Sequence, residues 1–138
     1  MSTSRRNEKF DIQGINHLAL VCKDMKRTVD FYSGLLGMPL IKTINLPGGS
    51  GQHFFFDVGN GDALAFFWCA DAPDSVPGVT HPAHIIGQGS LTTAHASMNH
   101  VAFNVAADRI DEYQRKLEAA GITCTPVVNH DESPHQAS

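Results

Sequence analysis

Two histidines stand in near-identical phrases: "NHLAL" carries His17 and "NHVAF" carries His100, each after an asparagine and ahead of an apolar-Ala-apolar run. Neutral imidazoles are good ligands for divalent transition metals, and two of them brought together form the beginning of a metal centre. A histidine copied by duplication can equally be a structural one, so the repeat alone leaves both roles open. Strand periodicity then decides where the rings point. In residues 15–21, Ile15, His17, Ala19 and Val21 share one face, while Leu18 and Leu20 share the other. In 98–105, Val101 and Phe103 lie opposite His100. The apolar faces suit packing on a helix, so both histidines face away from it. If two such units pair about a pseudo-twofold axis, the two imidazoles converge on a common cavity.

The elements around each histidine follow one plan. After the first strand, Asp24 is an N-cap, Met25, Val29, Tyr32 and Leu36 recur at helical spacing, and Gly37 is a left-handed stop. After the second, Ile110, Tyr113, Leu117 and Ala120 mark a stripe that ends at Gly121. The first copy continues with strands at 38–46, 53–58 and 63–69, divided by the turn signals "PGGSG" and "GNGD". The second has only one more strand, 122–128, and a polar tail.

The expected architecture is therefore α+β: paired βαβββ modules, with the second module truncated. The boundaries are an N-terminal tail at 1–11, a first module at 12–70, a Pro/Gly/Ser/Thr-rich connector at 71–97 and an incomplete βαβ module at 98–138. A sheet cut short leaves an open edge, so a homodimer is expected.

Alternation also selects a pocket. In "HFFFDV", His53, Phe55 and Asp57 share one face and Phe54, Phe56 and Val58 the other. If the more apolar set packs on the helix, His53, Phe55 and Asp57 line the cavity. Ala63 and Phe67 share the face of Ala65, and Asn104 shares that of His100. The result is a largely apolar wall with a few polar groups, suited to a small apolar substrate. The connector histidines His81, His84 and His95 read as solvated loop residues or as part of a lid, and Asp131 and Glu132 of the tail are not taken as ligands.

Composition removes other classes. The 138 residues carry a formal net charge of −4, and no basic cluster extends beyond Arg5, Arg6 and the run Lys23, Lys26, Arg27, so a nucleic-acid partner is not expected. No apolar run approaches the roughly 20 residues of a membrane helix, and no signal-type apolar stretch follows the N-terminal charges. A cytoplasmic protein is expected, with Cys22, Cys69 and Cys124 as reduced core thiols. Neither a G-x-S-x-G nucleophile motif nor a phosphate-binding loop occurs.

The stretches "DFYSGLLGMPL" and "SMNHVAFNV" resemble the vicinal oxygen chelate superfamily, which contains glyoxalase I, bleomycin- and fosfomycin-resistance proteins and extradiol dioxygenases; the similarity covers about residues 12 to 128. The resemblance implies that the paired modules form a curved mixed sheet around a cavity with a divalent metal that holds a substrate through adjacent oxygens, with His17 and His100 at the first-strand ligand positions. The chain departs from the pattern at Ala65, which aligns with a carboxylate ligand of the first module and cannot bind metal. The remaining carboxylate is expected on a strand beyond Ser138. Two histidines and one carboxylate suit non-haem Fe(II), with Mn, Zn or Ni as other candidates. An extradiol-dioxygenase-like oxidoreductase is the favoured activity. The alternatives are a glyoxalase-type lyase or isomerase and a metal-free resistance-type binding protein. No residue is assigned as catalytic acid or base.

Overall fold

The computed structural model describes residues 9–74, 98 and 100–127. The connector from 75 to 97 with its three histidines, and the tail from 128 onward, lie outside the described residues. The chain divides into two compact units, Met1–Pro73 and Asp74–Ser138.

The first unit is a βαβββ module: β1 (His17–Cys22), α1 (Met25–Val29), β2 (Leu40–Asn45), β3 (Gln52–Gly59) and β4 (Asp62–Trp68). The sheet order is β1-β4-β3-β2, with β1 parallel to β4 and the other pairs antiparallel. The α1 helix starts where the sequence places it, because the Asp24 side chain accepts a hydrogen bond from the Arg27 amide at 2.9 Å. It does not continue as α-helix to Leu36. Residues Asp30–Leu35 are π-helical, with the Leu36 amide bonded to the Phe31 carbonyl at 3.0 Å, and Gly37 then leaves the helix at φ 73°. Tyr32 on this wider turn lies 5.0 Å from the Phe66 ring and 5.8 Å from Phe56, centroid to centroid.

The turn between β3 and β4 places both Asn60 and Gly61 at positive φ, 57° and 82°, the geometry that "GNGD" favours. Alternation along the strands builds a core on the helix side, where Phe54, Phe56, Leu64 and Phe66 are buried and Leu18, Leu20, Met25, Val29 and Tyr32 pack against them. Cys22 joins this cluster, and burial pushes its thiol pKa up, as for a structural cysteine. All three cysteines are free.

The second unit contains a 3-10 turn (Ala107–Arg109) that leads into α2 (Ile110–Ala119). Ile110, Tyr113 and Leu117 are its partly covered apolar residues, beside Glu112 and Gln114, and Gly121 ends it at φ 84°. Glu112 binds Arg109 at 3.0 Å and Lys116 at 2.9 Å. Hydrogen bonding to these two cations pulls its pKa from 4.5 down to about 2. The strands expected at 98–105 and 122–128 differ: residues 100–106 and 122–127 form no strand ladder among the described residues. Alternation alone does not make a strand, which exists through the hydrogen bonds of a neighbour. Val101, Phe103 and Val105, the apolar side of the expected strand, are all exposed. Instead the 122–127 segment returns to α2, through Ile122 amide to Leu117 carbonyl at 3.0 Å and Gln114 side-chain amide to Thr125 carbonyl at 3.0 Å. No helix among the described residues is long and apolar enough to cross a membrane.

Candidate functional site

The sheet face opposite α1 gathers most of the expected site residues into three lateral rows. Register pairs Asp57 with Ala63 and Ala63 with His17, then Phe55 with Ala65 and Ala65 with Ala19, then His53 with Phe67 and Phe67 with Val21. These residues share a face because the pleat turns alternate side chains the same way across neighbouring strands. The irregularity between Leu40 and Lys42 on β2 brings Lys42 opposite Phe55, with its ammonium 5.6 Å from the ring centroid, a cation–π contact the sequence did not reveal.

His17 stands exposed on the edge strand β1. Its Nδ1 lies 2.8 Å from the Asn16 Oδ1, so the Nδ1 proton donates to the amide carbonyl and the lone pair is left on Nε2. Metal-binding histidines usually have their second nitrogen held in this way, which fixes both the tautomer and the ring plane. The signal was in the sequence, since the repeated phrase carries asparagine before each histidine. The His17 ring meets Phe55 edge-on at 5.5 Å and His53 at 6.3 Å.

His53 differs in environment. It is the buried polar residue of the first unit, 9% exposed, stacked on Phe67 at 3.8 Å with rings 12° from parallel and 4.3 Å from Phe55. Its Nε2 is buried without any hydrogen-bond partner. A buried nitrogen left unpaired costs about 1–3 kcal/mol, so it calls for a partner of some kind. Burial first, then the nearby His17 and Lys42, lower its pKa below 6.5 and favour the neutral ring. Sequence periodicity gave His53 its face but not this burial.

Ala65 is fully buried at the centre of the face, between Ala19 and Phe55. The position expected from the resemblance to match a carboxylate ligand thus carries a methyl group. Asp57 shares the row of His17, but its Oδ1 accepts the Gly59 amide at 2.6 Å. Among the described residues no group of three His, Cys, Asp or Glu side chains lies close enough to hold one ion. His100 and Asn104 belong to the second unit, and both are exposed. On the helix side a groove of about 620 Å³ is lined by Lys23, Met25, Val29 and Trp68 among others. Among the described residues its lining carries no imidazole or thiol, and its Lys26 and Asp30 pair with each other.

A mixed four-stranded sheet with a single helical layer and β1 returning parallel beside β4 define an α+β module. Residues 14–138 match the family model described as Glyoxalase/Bleomycin resistance protein/Dioxygenase superfamily, and the chain belongs to that superfamily. A putative ring-cleaving dioxygenase, MhqE of Bacillus subtilis (strain 168), is 26% identical over 115 residues, which cover 80% of this chain and 33% of that protein. The chain thus spans about a third of the length of this curated relative. A glyoxalase family protein from Enterococcus faecalis has a similar structure, with TM-score 0.63 at 21% identity over 86% of this chain and 81% of that one. The fosfomycin resistance protein FosX from Listeria monocytogenes, as a mutant complexed with Mn(II) and dihydroxypropylphosphonic acid, gives 0.55 at 21% identity over 86% and 78%. At these identities the two solved structures establish a common fold.

Proposed function

We propose that the chain is a metal-dependent enzyme of the extradiol-dioxygenase-like kind, in which His17 and His100 supply imidazole ligands to one divalent ion. The single observation that carries this reading is the His17 ring, exposed on the sheet face with Nδ1 tied to Asn16 and Nε2 left as the donor nitrogen. Membership of the superfamily supports it, as does the Mn(II) complex of FosX as a precedent for a divalent ion on this fold. Fe(II) is the favoured ion, and Mn, Zn and Ni are alternatives. When bound, the ion supplies Lewis acidity and a template for two substrate oxygens. The protein's share is to orient its imidazoles and to hold the apolar part of the substrate against Ala65, Phe55 and Phe67, away from water. Asp57 and Asn104 are assigned to substrate contact, and the third ligand is assigned to no residue of this chain. The similarity to MhqE favours ring cleavage over glyoxalase-type isomerisation, and the methyl group of Ala65 points the same way, because it offers no carboxylate base.

Metal analysis of the purified chain beside its His17→Ala and His100→Ala variants tests this directly. Both variants are expected to lose at least about tenfold in affinity for the ion. Unchanged metal content in both would remove the enzyme reading and leave a binding protein, a reading to which the small apolar wall around Ala65 is also suited. With Fe(II) and a catechol under reducing conditions, oxygen uptake is expected; turnover of a hemithioacetal without oxygen would assign the glyoxalase-type reaction instead.

The same proposal includes a homodimer, since β2 is exposed along its whole length with Leu40, Ile41 and Ile44 at the sheet edge. A monomer by light scattering would contradict it. A cytoplasmic location accords with the three free thiols.

A further inference from the structure

We infer that His53 is a second imidazole ligand of the first unit, so that His17 and His53 together form a two-histidine site for a borderline divalent cation such as Zn(II) or Ni(II). The inference rests on the reading of His17 as a metal ligand and adds to it a residue that the two-histidine, one-carboxylate pattern does not contain.

Three observations converge. The Nε2 of His53 is a buried nitrogen with no partner, on a ring held in place by its stack on Phe67. Buried polar atoms are nearly always paired, and an exception in a rigid setting marks the position of an absent partner, which for Nε2 is an acceptor in the tautomer that protonates it and a proton donor or a metal in the tautomer that leaves it the lone pair. The second ring on the same face, His17, carries its lone pair on Nε2 because Asn16 holds Nδ1. The ring centroids are 6.3 Å apart. Each metal–nitrogen bond spans about 2.1 Å, so this separation suits one ion between the rings when the exposed His17 ring turns its Nε2 toward His53.

The ligand chemistry sets the class of ion. No described carboxylate, thiolate or third imidazole completes a cluster with these rings, and the nearest acid on the face, Asp57, is engaged by the Gly59 amide. Neutral nitrogen donors disfavour Mg(II) and Ca(II) and favour the later first-row ions, with His100 of the proposed function, water and substrate oxygens as the remaining ligands.

The test is a titration of the full chain with Zn(II) in competition with a chromophoric chelator, for wild type and for His17→Ala, His53→Phe and His100→Ala. Phenylalanine keeps the stack on Phe67 and removes only the nitrogens. His53→Phe is expected to weaken Zn(II) binding at least about tenfold, as His17→Ala does, and a variant carrying both His17→Ala and His53→Phe to lose little more than either. Unchanged affinity in His53→Phe, with loss in His17→Ala and His100→Ala, overturns the inference and leaves the proposed function standing. Loss in His53→Phe and His17→Ala but not in His100→Ala supports the inference and removes the His17 and His100 pairing. No loss in His17→Ala ends both. Should His53→Phe fail to fold, long-range nitrogen NMR of the wild-type histidines gives the answer, since a ligand Nε2 shifts on addition of Zn(II) and an uninvolved one does not.

Discussion

The two imidazoles on the open sheet face are chemically unlike although they are near neighbours. His17 is solvent-facing and held by Asn16, whereas His53 is sealed between Phe55 and Phe67. Because burial, His17 and Lys42 all lower the His53 pKa, the folded protein binds a proton there less readily than the unfolded chain. Its contribution to stability is thus complete above about pH 6.5 and is lost as pH falls below that value toward the depressed folded pKa. A proton NMR titration should place the His53 midpoint below that of a model histidine. The His53→Phe variant should lose this part of the acid sensitivity of the thermal midpoint, and an ordinary His53 midpoint would show that the ring is not sealed. At this scale the sequence was a partial guide. Alternation gave the correct face for His17, His53, Phe55, Asp57, Ala65 and Phe67. It did not distinguish a buried imidazole from an exposed one, because that depends on which rings stack across strands and so on register.

Elements in the first unit follow local chemistry closely, and two of them yield sharp tests. Gly51 opens β3 at φ 143°, and a Cβ built there would lie 2.0 Å from the Trp68 carbonyl oxygen. Gly51→Ala is therefore expected to lower stability by on the order of 3 kcal/mol in a denaturant melt, through a backbone clash that no side-chain rotation relieves. In α2, the Glu112 pKa stands at about 2 because Arg109 and Lys116 both hold its carboxylate. The helix gains from these pairs above the ordinary carboxylate pKa near 4.5 and loses them as pH falls from there toward 2. Far-ultraviolet circular dichroism over that window should show helix loss in the wild type and a flatter curve in Glu112→Gln, and high salt should shrink the difference, since the pairs are exposed. The caps and turns were legible, Asp24, Gly37 and the Asn60-Gly61 turn above all, because each is decided by a residue's own backbone preference. The π-helical stretch at Asp30–Leu35 was not legible, since a 3.6-residue stripe and a slightly wider turn present nearly the same apolar side.

On the scale of the molecule, stability of the first unit is concentrated in one cluster behind the sheet. Phe54 and Phe56 are both fully buried there. Phe56→Ala should lower stability by about 3–5 kcal/mol, whereas Ile12→Ala, at an exposed position ahead of β1, should change it by less than about 0.5 kcal/mol; equal losses in a denaturant melt would contradict the assignment of the core. The repeat made the fold readable, but not the pairing of each strand. "NHLAL" and "NHVAF" are alike as words, but the first has β4 beside it and the second has no ladder among the described residues. A strand needs its neighbour, and pattern within one segment cannot supply it. The claim on which the function turns joins the two copies: His17 and His100 as ligands of one ion. Anomalous diffraction from crystals of the full chain loaded with a divalent transition metal tests it most directly. The expected map has a single strong peak about 2.0–2.1 Å from the Nε2 of both His17 and His100; a map in which the two rings reach no common peak would contradict it.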